Sequence, residues 1–231
     1  MCRVVDLQRA VLARNEAAAG VLRTELTARG TTVVNLLSSP GSGKTALLEA
    51  ELRLSVERGV SAAALTADLA TERDAERLAR AGVPVKQVLT DGLCHLEADM
   101  VARHLHDWLP EDTRLLFVEN VGNLVCPAGY DLGETLRVVL ASVTEGEDKP
   151  LKYPTAFGLA HLVVVTKTDL AAAADFDEAA FRRNVEQVNP GVEVALTSVR
   201  DGRGTGVLLD RALAAAGGNG VHTPVMARAG A

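Results

Sequence analysis

At 231 residues the chain is long enough for one large α/β domain with a buried core and too short for two full domains. A net charge of -6 with a pI near 5.4 argues against nonspecific binding to nucleic acid or to an anionic membrane. No apolar run reaches membrane-spanning length and the N-terminus lacks a signal-like apolar segment, so the cytoplasm is the expected location.

Periodicity then orders the elements along the chain. Residues 4–27 carry apolar side chains mostly three or four apart, which predicts a helical extension over about 1–30, interrupted at Gly20 and ended by Gly30. The apolar run 33–37 is the first strand, followed by a glycine-rich loop and a helix from Thr45 to about residue 58. A second strand, 62–66, leads into Asp68, and a charged helix near 71–80 precedes a short strand over 83–88. Leu93, Leu96, Met100, Leu105 and Leu109 predict a helix over 93–109, stopped by Pro110. The strand 115–118 ends at Glu119, and 121–133 reads as a loop rich in functional side chains. Strands over 137–143 and 162–166 flank a polar stretch at 144–154; a helix over 176–188, a strand over 192–196 and a helix over 205–216 complete a domain spanning 31–216, and a flexible tail is expected over 217–231. Short continuous apolar strands alternating with helices predict a three-layer α/β fold, a mostly parallel central sheet covered by helices on both faces. Ligands of such sheets collect beyond the carboxyl ends of the strands.

The loop Ser38-Ser39-Pro40-Gly41-Ser42-Gly43-Lys44-Thr45 is a phosphate cradle, and it makes the fold that of a P-loop NTPase. Backbone N–H groups around Gly41, Ser42 and Gly43 can converge on phosphate oxygens, Lys44 can reach the β- and γ-phosphates, and the Thr45 hydroxyl can ligate Mg²⁺. Ser38 stands where the strict pattern has glycine. Acidic residues at strand ends usually complete a magnesium and water shell, and Asp68 and Glu119 occupy such positions. Thr166-Lys167-Thr168-Asp169 resembles the Asn-Lys-x-Asp base-recognition element of GTPases: the Asp169 carboxylate can accept from guanine donors that adenine lacks, the Lys167 stem can cover the ring, and Ser198 can support the base edge. A small-molecule kinase or ATPase would use the same cradle.

Three cysteines, Cys2, Cys94 and Cys126, make a poor disulfide framework in a chain of this size. The tandem Cys94-His95 together with Cys126 leaves two readings open, buried core thiols or a soft site for Zn²⁺, Ni²⁺ or Cu⁺. Three donors leave coordination incomplete, which suits reversible binding completed by solvent or a second subunit.

Five segments together resemble the HypB family, GTPases of nickel-iron hydrogenase maturation: the cradle; Thr71 with Asp74 to Arg77; Asp91-Gly92-Leu93-Cys94-His95-Leu96; the stretch from Phe117 to Pro127, with Glu119-Asn120-Val121-Gly122-Asn123 and Cys126; and Glu145 to Pro154. The resemblance implies a slow GTPase switch that cycles between GTP and GDP with Mg²⁺ and forms a nucleotide-dependent homodimer. It implies that Cys94, His95 and Cys126 bind Ni²⁺ or Zn²⁺ at the subunit interface, with Asp68 and Glu119 at magnesium and switch positions. Lys167 and Asp169 fall on guanine-recognition positions, and Lys152 is expected to reach the partner's nucleotide. A HypA-like nickel-donor accessory protein and the hydrogenase large-subunit precursor are the implied partners. The chain lacks a histidine-rich run, which argues against nickel storage.

Overall fold

Seven strands assemble into one sheet in the order β3-β2-β4-β1-β5-β6-β7, every pairing parallel, with central strands buried on both faces and the edge strands β3 and β7 only partly buried. They are β1 (Thr32–Ser38), β2 (Ala62–Asp68), β3 (Val85–Leu89), β4 (Leu115–Gly122), β5 (Leu136–Ser142), β6 (Leu162–Thr166) and β7 (Glu193–Leu196). The computed structural model describes residues 3–68, 73–90 and 92–228; Cys2, Thr71 and Asp91 lie outside the described residues, as do the side chains of residues 3–8 and of Asp68.

The helices divide between the two faces as the alternation of the strands dictates. Val34, Leu36, Leu115 and Phe117 point to one face, where α2 (Lys44–Glu57), α3 (Arg73–Ala79) and α8 (Val207–Ala216) cover them. Val33, Leu116 and Val118 point to the other, against α1 (Arg3–Ala28) and α4 (Ala98–Leu105). Farther along that face Phe157 of α6 (Pro154–Gly158) and Phe181 of α7 (Glu178–Val188) pack on Val139, Val163 and Val165. This is the three-layer P-loop NTPase architecture expected from the sequence.

Several boundaries differ from expectation for physical reasons. Helix α1 runs unbroken through Gly20, because Ala19, Leu22 and Leu26 are buried on either side and outweigh the roughly 1 kcal/mol that one interior glycine costs. The predicted helix over 93–109 contracts to α4: Leu96 fills the core from a loop, and Thr90 Oγ1 donates to the Leu93 carbonyl, so a helical spacing is supplied by residues outside any helix. Strand β4 continues past Glu119 to Gly122, so part of the expected loop is sheet. The polar stretch at 144–154 holds a tight turn capped by Ser142 and Glu145, then α5 (Lys149–Lys152) and the start of α6. Residues 225–228 of the expected flexible tail form α9 (Val225–Arg228), with Met226 placed where a Cβ on Gly158 would collide, and His222 Nε2 lies 2.9 Å from Asn189 Oδ1.

At the amino ends of β5 and β6, the Arg137 N–H donates to His161 Nδ1 at 2.9 Å, which requires a neutral imidazole. Burial, and then the Arg137 charge, depress the His161 pKa to about 4. The unfolded chain therefore binds this proton first: the stability present above the ordinary value near 6.5 is lost as pH falls toward 4, by about 3 kcal/mol. His161→Gln keeps an acceptor but cannot titrate. In urea unfolding across this range the wild type is expected to lose more stability than the variant, and equal losses would refute the assignment.

Candidate functional site

The cradle forms where β1 turns into α2. Gly41 and Gly43 take left-handed backbone angles, φ 74° and 92°, that side chains resist, and Gly43 is the N-cap of α2. Ser38 ends β1 without a positive φ, so glycine is not required there. Gly122 lies so close beneath the loop that a Cβ would stand 3.2 Å from the Pro40 backbone. The result is a cleft of about 440 Å³ lined by Ser39, Gly41, Gly43, Lys44, Thr45 and Arg77. The loop's N–H groups and the amino end of a 14-residue helix face an anion-sized space.

Glu119, 1% exposed, is the hub below this cleft. Its Oε1 accepts from Lys44 Nζ at 3.0 Å and from Thr45 Oγ1 at 2.6 Å, and its Oε2 accepts from Thr66 Oγ1 at 3.1 Å. Three of the predicted residues, Lys44, Thr45 and Glu119, thus meet in one cluster. Its hydroxyl and carboxylate are hard oxygen donors of the kind Mg²⁺ takes, so the residues present fit that ion. Asp68 is the last residue of β2, at the carboxyl edge of the sheet, and its side chain is outside the described set.

The loop after β6, Thr166 to Asp169, is braced against the cradle. Lys167, in the left-handed region at φ 58°, donates from Nζ to the Gly41 carbonyl at 2.7 Å. Thr166 Oγ1 donates to the Ser42 carbonyl at 2.5 Å, so the residue that replaces the common asparagine ties the two loops together. Ser198 Oγ donates to Asp169 Oδ1 at 2.8 Å, fixing the carboxylate from the loop after β7.

Lys149 belongs to this region and was not picked out from the sequence. Its ammonium is buried, donates to Ser39 Oγ at 2.5 Å and pairs with Glu145, whose other oxygen accepts from the Ser142 N–H. The available signal was the four-residue spacing of Glu145 and Lys149 after a Ser-x-x-Glu capping pattern. Arg77 lines the cleft as well, paired with Glu49 at 2.6 Å. Lys152 is mostly exposed, pairs with Asp148 at 2.7 Å and does not line this chain's own cleft.

The thiols lie on the loops after β3 and β4. Both are half-buried and free, and hydrogen bonding with the Cys126 thiol, then burial, push the Cys94 pKa up. Cys94 Sγ is 3.7 Å from His95 Nδ1, and the His95 ring lies on Tyr130 with centroids 4.0 Å apart. Burial lowers the His95 pKa against the pull of Glu97, which favours the neutral imidazole. Its Nε2 is buried without a hydrogen-bond partner, 3.7 Å from Glu97 Oε1. A neutral imidazole with an unpartnered nitrogen beside two thiols is a soft donor set. Among the described residues, no group of three or more His, Cys, Asp or Glu side chains is gathered closely enough to hold a metal ion. The two thiols are brought together; His95 does not close a complete set with them.

Comparison with known proteins agrees with this geometry. The sequence profile of the CobW/HypB/UreG nucleotide-binding domain matches residues 32–195. The hydrogenase maturation factor HypB of Azotobacter chroococcum is 46% identical over 204 residues, an alignment covering 88% of this chain and 67% of the relative. A crystal structure of HypB from Helicobacter pylori in complex with nickel superposes with a TM-score of 0.82 at 34% identity, covering 91% of this chain and 99% of that one. The hydrogenase maturation factor HypB from Archaeoglobus fulgidus gives 0.81 at 35% identity over 88% of this chain and 99% of its own.

Proposed function

The chain belongs to the HypB family within the CobW/HypB/UreG nucleotide-binding group, and on that premise we propose that it is a GTP-hydrolysing metallochaperone that helps deliver nickel to the nickel-iron hydrogenase large-subunit precursor. The observation that carries this reading is the path of one segment. Strand β4 places Glu119 on Lys44 and Thr45, and seven residues later the same segment sets Cys126 beside Cys94. On this reading a triphosphate site and a soft-donor site share one strand and its loop.

In the proposed mechanism the cradle N–H groups hold the phosphates and Lys44 turns its charge toward the β- and γ-oxygens. Thr45, with Asp68 and Glu119, would hold Mg²⁺, which would supply charge to offset that of the phosphates. Glu119 holds water against the γ-phosphate, and Asp169, fixed by Ser198, accepts from the guanine edge while Lys167 covers the ring. Nickel is the cargo. The incomplete donor set within one chain, Cys94, His95 and Cys126, is completed across a two-fold axis when GTP draws two protomers together, and Lys152, free of its own cleft, reaches the partner's nucleotide. Hydrolysis loosens the dimer and releases the ion, which a HypA-like donor supplies and the precursor receives. Zn²⁺ suits the same thiols and competes with nickel. No helix among the described residues is long and apolar enough to cross a membrane, and the cytoplasm is the proposed location.

Two measurements test the reading. Competition binding is expected to show GTP favoured over ATP by about a hundredfold, a preference abolished by Asp169→Ala. ATP binding as tightly as GTP would overturn the guanine assignment. Nickel titration is expected to show a site lost in Cys94→Ala, and equal uptake by variant and wild type would defeat the carrier role. Gel filtration with GDP and with a nonhydrolysable GTP analogue then reads the dimer directly.

A further inference from the structure

Resting on the reading just given, we infer that Asn120 is the positioning residue through which the nucleotide site sets the geometry of the thiol loops. Alternation along β4 puts Glu119 and Asn120 on opposite faces of the sheet. Glu119 points toward α2, and Asn120 points into the layer covered by α1 and α4. The pairing of β1 with β4 shifts register between Leu36 and Ser38, whose partners are Glu119 and Gly122, so the bulge in β4 falls at these residues.

Asn120 is fully buried in an apolar neighbourhood that includes Leu96, Val118 and Val121, where a polar side chain costs stability unless it is bonded. Its bonds lead toward the thiol loops. Oδ1 accepts from the Val121 N–H at 3.0 Å and from the Leu96 N–H at 3.4 Å, and Leu96 directly follows Cys94 and His95. Nδ2 donates to Asn35 Oδ1 at 3.5 Å, and Asn35 Nδ2 donates to Glu134 Oε1 at 3.5 Å. Glu134 holds Arg137, whose Nη1 and Nη2 donate to the carbonyls of Ala128 at 2.8 Å and Tyr130 at 2.9 Å. Those carbonyls bound the turn that follows Cys126, and Tyr130 is the ring on which His95 lies. Both thiol loops hang from one buried network, and Asn120 joins its two arms.

The bonds made by Asn120 to Leu96 and to Asn35 are at the long limit for hydrogen bonds, so a shift of a few tenths of an ångström, of the order that breaks such bonds, makes or loses them. A triphosphate claims Lys44 and Thr45, two of the three donors that now fix Glu119, and leaves it Thr66 alone. The carboxylate must readjust, and Asn120 is the adjoining residue in the bulge. The Leu96 bond is the point at which that readjustment reaches His95 and Cys94.

The test is the ratio of nickel dissociation constants measured at saturating GDP and at saturating nonhydrolysable GTP analogue. For wild type a ratio of about ten or more is expected, and for Asn120→Ala a ratio within about twofold of unity. A variant that keeps the full ratio, or a wild type whose nickel affinity ignores the nucleotide, overturns the role of Asn120 while leaving the carrier reading standing. A wild type that binds no nickel overturns both. Should Asn120→Ala fail to fold, hydrogen exchange of the Leu96 amide in the wild type decides the matter. Its rate is expected to differ by about tenfold between the two nucleotide states, and one rate in both overturns the inference.

Discussion

Replacing Glu119 with alanine is expected to cost the nucleotide-free protein about 3–5 kcal/mol and to slow hydrolysis by about two orders of magnitude. The stability loss follows from burial: Lys44 is 10% exposed and Glu119 1% exposed, so removing the carboxylate strands an ammonium in a low-dielectric site and leaves Thr45 and Thr66 without an acceptor. The loss is conditional on the empty cradle. Phosphates supply Lys44 with a new counter-charge, so GDP should stabilise the variant more than it stabilises the wild type. Urea unfolding with and without GDP reads the difference, and equal stabilisation of the two proteins would show that the Lys44 pairing is not exchanged for phosphate. Glu119→Gln separates shape from charge. Its single amide oxygen can still accept from Thr45 and its amide can donate to a rotated Thr66 hydroxyl, so it should fold better than the alanine variant while hydrolysing no faster.

Arg137→Met should be as costly, about 3–5 kcal/mol at neutral pH, with a pH dependence that identifies the cause. Glu134 is enclosed, and burial alone would raise its pKa; the Arg137 charge and the Leu132 N–H outweigh burial and hold it below the ordinary carboxylate value. In the wild type, therefore, Glu134 contributes stability above the ordinary value near 4.5 that is lost as pH falls through its depressed folded pKa. Without Arg137 the burial effect prevails and the pKa rises. The variant then pays to keep the carboxylate charged at pH 7 and is relieved as acid protonates it. The stability gap between wild type and variant should narrow from pH 7 to pH 5, and a gap that widens would place the loss elsewhere. Glu134→Leu combined with Arg137→Met should recover only part of the loss, because the carbonyls of Ala128 and Tyr130 remain without their donor.

What was legible in the chain depended on whether one physical effect dominated locally. Strand β6 is legible at its observed bounds because the apolar run Leu162 to Val165 gives way to the polar Thr166-Lys167-Thr168-Asp169. The cradle was read from glycine positions that only unusual backbone angles explain. Glu119 was recognised, but the strand was ended there, since Glu119 and Asn120 look like surface residues until their partners on two faces of the sheet are known. Lys149 is obscured for the same reason: a lysine in a polar stretch signals solvent, its spacing from Glu145 is a weak signal, and the fold shows its amine beneath Ser39. Leu96 misled in the opposite sense, completing a helical spacing from a loop. Long-range polar pairing is the information that local periodicity does not carry.

The neighbours of β1 also govern when the site can exist during synthesis. The strand that leads into the cradle pairs with β4 and β5, and its earliest partners are Leu115 and Leu136. A ribosome that has released Lys44 and Thr45 has therefore made these cleft-lining residues long before the strands that hold them. Until β4 emerges the loop has neither the Glu119 hub nor Gly122 beneath it, and Lys149 comes later still. Sheets assembled from such distant pairings close late, because the entropy of joining the ends is lost before contacts repay it. Nucleotide is thus acquired only after both thiol loops, which follow β3 and β4 on one side of β1, have already been synthesised.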